Sequence, residues 1–478
     1  MVYLLGAIVL GAVLVGAFAY CNLHYDYGND RFLVTKGKAA GFAEKTYRTS
    51  DGHEIAYLEG PANGAALLLI HGQTGSKEDY ARVLPELARS FHVFAVDCYG
   101  HGRSSKDPAR YKLVSMRDDF LHFVDEVIGE RVMLSGHSSG ALIAAAMAAA
   151  GEGRVRGLLL EDGPFFTTER GRAEKTLAYL EFRLMHDFLE QDEETNYTRY
   201  YLRHTYMKEI FDEGGKNVWV SAVEKPYGKR IREGSGKMPM LWYLPPAARL
   251  NELVFRTRNR EDGTGAYDLR FGETFYDFSW FDGFDTESAL RAIDCPTVIL
   301  HVAPPRKIAP SYVDRNGILL SAMDDEDAER VHECIRGSVL RSGYACDHNI
   351  HADLPKSFIE SVFELMTLAQ ENAQNGSVKQ SKGPTVRAAT TSGYMTGLSL
   401  GFLGGTAVGI ALGDVGMGAM VGLAAGLLIG NAYDARKNAE KAKRDAVKPE
   451  GTEENSATEQ GADEKAICDE RETKGDWR

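Results

Sequence analysis

Short apolar runs alternate with longer amphipathic segments through the first three quarters of the chain. The apolar runs predict strands near residues 65–70, 91–96, 131–135, 155–161, 296–303 and 337–344. Helical periodicity predicts helices near residues 78–89, 114–128 and 139–150. A hairpin is expected over residues 43–60, because Asp51-Gly52 is a strong turn signal between two alternating runs. This alternation predicts an α/β fold with a mostly parallel sheet buried on both faces.

The first residues form a separate apolar segment. Residues Val2 to Ala19 are almost continuously apolar. At about 1.5 Å per residue, such a helix covers most of a hydrocarbon core about 30 Å thick. A signal peptide is the alternative, but this segment shows neither an early basic residue nor a small-x-small cleavage pattern. We therefore expect an uncleaved N-terminal membrane anchor within residues 1–23.

A second apolar region carries glycine at every fourth position. The glycines stand at 393, 397, 401, 405, 409 and 413, and again at 418, 422, 426 and 430. This spacing places each set on one helix face, where missing side chains allow another helix to approach closely. We expect a glycine-zipper transmembrane hairpin over residues 392–433, which either joins its own two helices or links copies into a homo-oligomer. The alternative is a flexible linker, but linkers are rich in Ser and Pro rather than Leu, Ile and Val.

Basic residues mark one side of these apolar regions. They are Arg31, Lys36 and Lys38 after the anchor, Lys379, Lys382 and Arg387 before the hairpin, and Arg436, Lys437, Lys441, Lys443 and Arg444 after it. The positive-inside rule then predicts a multi-pass membrane protein whose region 43–371 lies on the cytoplasmic face. Residues 372–391 are polar and predict a linker, while the charged tail over 434–478 predicts disorder.

Composition narrows the range of partners. The chain has 478 residues and a net charge of −13, without a basic patch interleaved with aromatic residues, so nucleic acid is not an expected partner. Its six cysteines, at 21, 98, 295, 334, 346 and 468, include no Cys-x-x-Cys pair. This pattern indicates reduced thiols rather than a disulfide framework or zinc site. We expect neither a metal nor another cofactor.

Four motifs follow the predicted strands in a fixed order. They are His71-Gly72-Gln73-Thr74-Gly75, the turn from Asp97 to Ser104, Gly136-His137-Ser138-Ser139-Gly140, and Asp347-His348-Asn349-Ile350-His351 ahead of Pro355. In the third motif, a serine flanked by glycines lies between a strand and a helix-prone run of small residues. This is the pattern of a nucleophile elbow, where a sharp backbone bend exposes the serine hydroxyl.

Together these motifs resemble the α/β-hydrolase superfamily over roughly residues 43–371. The resemblance implies an α/β-hydrolase fold with an inserted helical cap at about 165–290, which covers the nucleophile. The cap's aromatic residues either line a substrate pocket or pack the cap's own core. Ser138 is implied as the nucleophile, and the backbone N–H groups of Gln73 and Ser139 as the oxyanion hole. One departure is Asp347, where the family often has glycine.

The resemblance also implies a base and an orienting acid for Ser138. His348 follows the last strand and is the expected base, and the His-x-x-His pattern favours a structural role for the competing His351. Histidines in the earlier turns, His71 and His101, are expected to hold loops together.

Three carboxylates are candidates for the acid that orients the imidazole. Asp324, which precedes the helix predicted at 327–335, is preferred, and Asp325 follows it. Asp162, at the tip of the sixth strand, is the third option. A helix N-cap is the alternative role for these carboxylates.

Two functions compete at this point. The leading hypothesis is a membrane-anchored serine hydrolase that cleaves carboxylic ester or thioester bonds, including those of lipid-like substrates, through an acyl-enzyme. The rival is a non-catalytic hydrolase-fold binding or scaffold protein that oligomerises through its glycine zipper. An intact Ser–acid–His set favours catalysis, because a scaffold has no need to retain it.

Overall fold

The computed structural model describes residues 6, 9–17, 37–225, 228, 266–305, 309, 311–375 and 385–387. The chain divides into a unit of Met1–Thr390 and a unit of Thr391–Arg478, and the second unit lies outside the described residues. The expected glycine-zipper hairpin, the charged tail and much of the N-terminal anchor also lie outside the described residues.

A nine-stranded sheet organises the described part of the first unit. Its strands are β1 (Ala43–Arg48), β2 (Glu54–Glu59), β3 (Ala65–Ile70), β4 (Phe91–Val96), β5 (Val132–His137), β6 (Val155–Glu161), β7 (Thr297–Val302), β8 (Val339–Tyr344) and β9 (Thr385–Arg387). Their order across the sheet is β1-β2-β4-β3-β5-β6-β7-β8-β9. Strand β2 pairs antiparallel with β1 and β4, and the pairs from β4 to β9 are parallel. The prediction of a mostly parallel α/β sheet is confirmed.

Eight helices of seven or more residues accompany the sheet within the described residues between 37 and 375. They are α1 (Leu113–Phe123), α2 (Ser139–Ala150), α3 (Leu177–Leu189), α4 (Tyr197–His204), α5 (Leu269–Tyr276), α6 (Thr286–Ala292), α7 (Asp325–Cys334) and α8 (Pro355–Asn375). The helix predicted at 78–89 is split into a 3-10 segment, Lys77–Arg82, and a short helix, Leu84–Leu87. Pro85 explains the break, because it lacks the N–H that would bond to the preceding turn.

Strand β3 shows how the sheet is buried on both faces. Ala66, Leu68 and Ile70 belong to one hydrophobic cluster, while Leu67 and Leu69 belong to another. Alternate side chains of a strand point to opposite faces, so each face of the sheet carries its own core. Complete burial of one leucine side chain contributes about 2 kcal/mol.

The described cap residues pack together and continue the hydrophobic cluster on one face of the sheet. Helices α3 and α5 pack together through Phe182 and Phe275, whose rings lie 5.0 Å apart. Trp280 packs on Phe275 at 4.4 Å, and the indole N–H of Trp219 donates to the carbonyl of Leu202. Both tryptophans are buried, which favours the packing interpretation of these two aromatic residues.

The two ends of the first unit differ from its centre. Residues 9–17 are helical, and the side chains of Val9, Leu10, Val13 and Leu14 are more than half exposed. Among the residues that the structure describes, no helix is both long and apolar enough to cross a membrane. At the other end, α8 runs to Asn375 and β9 pairs with β8, so both enter the segment interpreted as a linker.

Candidate active site

Ser138 occupies a sharp turn between β5 and α2. Its backbone has φ 55° and ψ −124°, a conformation that costs a non-glycine residue about 1–3 kcal/mol. The flanking glycines are required by space. A Cβ on Gly136 would lie 2.2 Å from the carbonyl oxygen of Gly140, and a Cβ on Gly140 would lie 2.4 Å from that of Ile70. The geometry is that of a nucleophile elbow.

The turn after β3 lies directly against this serine. A Cβ on Gly72 would approach the Cβ of Ser138 to 2.6 Å, so only glycine fits there. The N–H of Gly75 donates to the carbonyl of Gly72 at 3.1 Å and closes a tight turn. The N–H of Gln73, inside this turn, takes no part in that hydrogen bond. Ser139 is the first residue of α2, where backbone N–H groups have no acceptor within the helix. Both expected oxyanion donors therefore flank Ser138.

Two buried histidines hold this turn in place. His71 binds the carbonyl of Gly72 through Nδ1 at 2.7 Å and accepts the N–H of Cys98 at Nε2 at 3.0 Å. His101 accepts the N–H of Thr74 at Nε2 at 3.2 Å. Burial, with the neighbouring His71, lowers the pKa of His101 well below 6.5, which keeps the imidazole neutral and able to accept. The prediction that these histidines hold loops together is confirmed.

His348 is paired with Asp162. The Nδ1 atom of His348 lies 2.7 Å from Oδ2 of Asp162, which is fully buried directly after β6. Burial opposes ionisation of Asp162, but hydrogen bonds from His301 and His348 outweigh it and lower its pKa to about 2. The ring of His348 also lies 4.5 Å from that of His137, the neighbour of Ser138 in the chain. Strands β5 and β6 are adjacent, which brings the serine and the carboxylate to the same edge of the sheet.

This geometry does not support Asp324, the carboxylate that the sequence favoured as the orienting acid. Its side chain accepts the N–H of Asp327 at 2.9 Å and caps helix α7, while Asp327 returns a reciprocal cap. Its other oxygen meets Arg172 at 3.0 Å. Asp324 therefore fills the N-cap role that was its alternative, and the third option, Asp162, is the carboxylate at His348. Asp325, the second candidate, accepts a hydrogen bond at Oδ1 from the hydroxyl of Tyr312, 2.8 Å away.

A second histidine–carboxylate pair lies beside the first. Nδ1 of His351 is 2.9 Å from both oxygens of Glu161, and the backbone N–H of His351 also donates to Glu161 at 2.8 Å. His351 and Glu161 are buried. The ring of His137 lies 5.1 Å from that of His351, and its Nε2 lies 3.1 Å from the carbonyl oxygen of His348. Sequence reasoning missed Glu161, although its position beside Asp162 at a strand end was a usable signal.

Within the described residues, Tyr267 of the cap contacts the turn after β3. The hydroxyl of Tyr267, just before α5, donates to the side-chain oxygen of Gln73 at 2.6 Å. The Tyr267 ring also packs on His101 at 4.8 Å. The cap is therefore attached to the same turn that carries Gln73.

One group of possible metal ligands occurs among the described residues, in the cap. His186 on α3, Glu190 directly after α3 and Glu273 on α5 place one ligand atom each within 4.8 Å of one another. His186 and Glu273 already form a contact of 3.0 Å. The expectation that the protein needs no metal stays a prediction.

The sheet order and the turn at Ser138 agree with the fold that comparison with protein families indicates. The sequence model of the alpha/beta hydrolase fold family matches residues 65–301, from the start of β3 into β7. The described domain therefore has the α/β-hydrolase fold, and the resemblance to that superfamily is supported.

Comparison with individual proteins gives partial matches. The chain is 28% identical over 130 residues to the human serine hydrolase-like protein, which covers 27% of this chain and 64% of that protein. It is 31% identical over 124 residues to the dihydrolipoyllysine-residue acetyltransferase component of the acetoin cleaving system of Cupriavidus necator, covering 26% of this chain and 33% of that protein. Each match thus spans less than two thirds of the relative.

Solved structures align over more of the chain. A membrane phospholipase A, described as a bacterial virulence factor, is 20% identical, covers 77% of this chain and 98% of its own, and has a TM-score of 0.48. An esterase from Exiguobacterium antarcticum is 18% identical, covers 68% of this chain and 98% of its own, and has a TM-score of 0.46.

Proposed function

We propose that the protein is a serine hydrolase that cleaves a carboxylic ester or thioester by forming an acyl-enzyme on Ser138. The observation that carries the proposal is the His348–Asp162 pair, 2.7 Å long, at the sheet edge where Ser138 occupies an elbow. A serine hydroxyl is a weak nucleophile until a base removes its proton. The neighbouring pair can supply that base.

The roles of the three side chains follow from the protonation of His348. When Nδ1 donates its hydrogen to Asp162, Nε2 carries a lone pair that can accept the proton of Ser138. The resulting imidazolium is stabilised by Asp162, whose pKa of about 2 keeps it ionised at neutral pH. The oxygen of Ser138 attacks the acyl carbon, and His348 returns the proton to the leaving alcohol or thiol. Water then repeats the sequence and releases the acid.

The charge that develops on the acyl oxygen needs donors that are already oriented. The backbone N–H groups of Gln73 and Ser139 flank Ser138 and would bind that oxygen. Gln73 is held by the hydrogen bond from Tyr267 and by the turn that His71 and His101 fix. We include this oxyanion hole in the proposal.

The proposal is tested with a fluorophosphonate probe on the purified full chain. The wild type should be labelled covalently, and Ser138→Ala should not be labelled. Ser221→Ala, which changes an exposed serine of the cap, is the matched control and should be labelled like the wild type. Absence of labelling in the wild type would contradict catalysis and favour the scaffold alternative. Acyl esters of graded chain length would then define the pocket.

Membrane attachment through residues 1–23 and 392–433 is a further part of the proposal, with the hydrolase domain on the cytoplasmic face and a lipid-like or acylated substrate. It is supported by the exposed apolar side chains within residues 9–17 and by the glycine periodicity. The chain should stay in membranes during carbonate extraction, and its release would contradict attachment. Replacement of Gly401 and Gly422 by Leu should reduce cysteine crosslinking across the hairpin while the probe still labels Ser138.

A further inference from the structure

A buried amide nitrogen lies in the turn after β3, next to the residue that packs on Ser138. Gln73 follows Gly72, where an added Cβ would reach the Cβ of Ser138 at 2.6 Å. Among the described residues, Nε2 of Gln73 has no hydrogen-bond partner, although the atom is buried. The large majority of buried side-chain polar atoms are paired. This nitrogen therefore has two N–H donors to offer to a bound molecule.

The cap sets the orientation of this amide. The hydroxyl oxygen of Tyr267 lies 2.6 Å from Oε1 of Gln73. That separation is usual for an O–H···O bond, at about 2.5–3.0 Å, and short for an N–H···O bond, at about 2.7–3.2 Å. The oxygen of the amide, rather than its nitrogen, therefore faces Tyr267. The phenol has one hydrogen, and a second acceptor, Sδ of Met185, is weak and 3.8 Å away. The hydrogen goes to Oε1, and Nε2 keeps both of its own for other acceptors.

The Tyr267 side chain is fixed independently of Gln73. Its ring packs on that of His101 at 4.8 Å, and the residue is buried. The next residue, Asp268, donates its backbone N–H to the carbonyl of Gly100 at 2.8 Å. The oxygen end of the Gln73 amide is therefore anchored before a substrate binds. Donors that are oriented in advance lose less conformational freedom on binding.

The amide nitrogen lies near the reacting part of a substrate. In the proposed hydrolase function the backbone N–H of Gln73 binds the acyl oxygen, and the side chain belongs to the same residue. An acceptor that reaches Nε2 is therefore only a few bonds from the acyl carbon that Ser138 attacks. The hydrogen bond from Tyr267 holds the amide where the cap meets the turn. An uncharged amide donor forms ordinary hydrogen bonds with ether, hydroxyl and carbonyl oxygens.

We propose that the side chain of Gln73 determines specificity by donating a hydrogen bond to a second oxygen of the substrate, close to the acyl carbon. The protein then favours esters that carry an ether, hydroxyl or carbonyl oxygen there over hydrocarbon esters of the same size. A hydrocarbon substrate leaves the buried donor unpaired, and this loss provides the discrimination. The proposal rests on the proposed hydrolase function and names the substrate class of that site.

Matched pairs of esters test the preference on the purified full chain. The para-nitrophenyl esters of methoxyacetic and butanoic acid differ by one ether oxygen in the acyl group, and methoxyethyl and butyl acetate differ in the same way in the alcohol. The ether oxygen also changes the intrinsic reactivity of an ester. The quantity compared between wild type and variant is therefore the ratio of kcat/KM within each pair. The same two alcohol groups on a fluorophosphonate give this ratio from inactivation rates where turnover is slow.

Variants of Gln73 keep the backbone N–H and change only the side chain. Gln73→Met has a similar length without the amide and should lower the ratio about tenfold in at least one pair. Gln73→Glu keeps an oxygen for Tyr267 but loses the N–H donors, so the ratio should also fall. Tyr267→Phe frees the amide to rotate and should lower the ratio by less, which provides the test if the Gln73 variants do not fold. Tyr276→Phe, whose ring packs on His186 in the cap, is the matched control and should leave the ratio unchanged.

The outcomes separate this proposal from the proposed hydrolase function. An active wild type whose ratios stay the same in Gln73→Met, in both pairs, overturns the role of Gln73 alone. A ratio that falls in Gln73→Met but not in Gln73→Glu shows that an oxygen faces the substrate, and this overturns the donor role. A wild type that neither turns over esters nor reacts with a fluorophosphonate at Ser138 overturns the hydrolase function, and the role of Gln73 falls with it.

Discussion

The two histidine–carboxylate pairs at the end of β6 use the same chemistry but differ in exposure. Their carboxylates, Glu161 and Asp162, are consecutive, and their histidines are three residues apart. The side chain of His348 is 36% exposed, whereas that of His351 is 1% exposed. A general base must reach the proton that it removes. The more exposed pair, His348 with Asp162, is called the outer pair and is suited to chemistry. The buried pair, His351 with Glu161, is called the inner pair and is suited to holding the chain in place.

The surroundings of the inner pair fit this division. The ring of His351 lies 4.5 Å from that of Tyr80 and 5.9 Å from that of Phe358, which encloses it in the core. Glu161 binds both the ring and the backbone N–H of His351. These bonds fasten the short helix Ile350–Asp353 to the sheet. In both pairs Nδ1 faces the carboxylate. The comparison teaches that access of a substrate to Nε2, rather than the pairing itself, distinguishes a histidine suited to catalysis from one suited to a structural role.

The largest expected effect comes from removing the outer histidine. His348→Ala should lower kcat/KM for an ester by roughly 10⁵ to 10⁶, because the members of a triad act as a unit. The melting temperature should fall only modestly, since His348 is partly exposed and Asp162 keeps its contact with His301. Steady-state kinetics and thermal unfolding measure the two quantities. Near wild-type activity in His348→Ala, with loss of activity in His351→Ala, would reverse the comparison.

The next effect concerns the carboxylate of the outer pair. Asp162→Asn should lower kcat by roughly 10³ to 10⁴, because the imidazole loses its tautomer and its charge support. Asp324→Asn is the matched control and should stay within a few-fold of the wild type. A large loss in Asp324→Asn and none in Asp162→Asn would contradict the observed pairing.

The ionisation of Asp162 should also appear in acid unfolding. Its folded pKa, about 2, is below the unfolded value of about 3.9. The stabilisation is therefore fully present above the unfolded pKa and is lost as the pH falls through the folded one. Denaturation of wild type and Asp162→Asn between pH 5 and pH 2 should show the wild type losing stability more steeply. Parallel curves would contradict the shift.

The inner pair should affect stability more than rate. His351→Ala removes one partner of a buried pair and should destabilise the protein by about 3 kcal/mol. The rate per folded molecule should fall less than tenfold, because His351 is enclosed in the core. Urea denaturation and active-site titration with a fluorophosphonate separate the two. Unchanged stability with a thousandfold loss of rate would show that the inner histidine takes part in the chemistry.

Much of the fold and part of the site could be predicted from the sequence. The strands at 65–70, 91–96 and 155–161 and helix 139–150 have the predicted bounds, because each is a continuous apolar or small-residue run. Gly136 and Gly140 reveal the elbow because no side chain fits there.

The acid could not be chosen from the sequence, because β6 and β7 are neighbours that end at the same sheet edge. Either end can bring a carboxylate to His348, and only the folded loops decide between them. The spacing of Asp324 and Asp327 was a capping signal. His301 was missed because a lone histidine in the run from Thr297 to Val302 gives no indication of its partners.

The smallest effect should come from the carboxylate that caps a helix instead of facing a histidine. Asp324→Ala removes the acceptor for the N–H of Asp327 and should cost about 1 kcal/mol of stability. Its ion pair with Arg172 is partly exposed and adds little. Asp324→Asn should recover most of the loss, because asparagine is a comparable N-cap, and kcat/KM should hardly change in either variant. Equal destabilisation by Ala and Asn would indicate that the charge of Asp324, rather than its cap, stabilises α7.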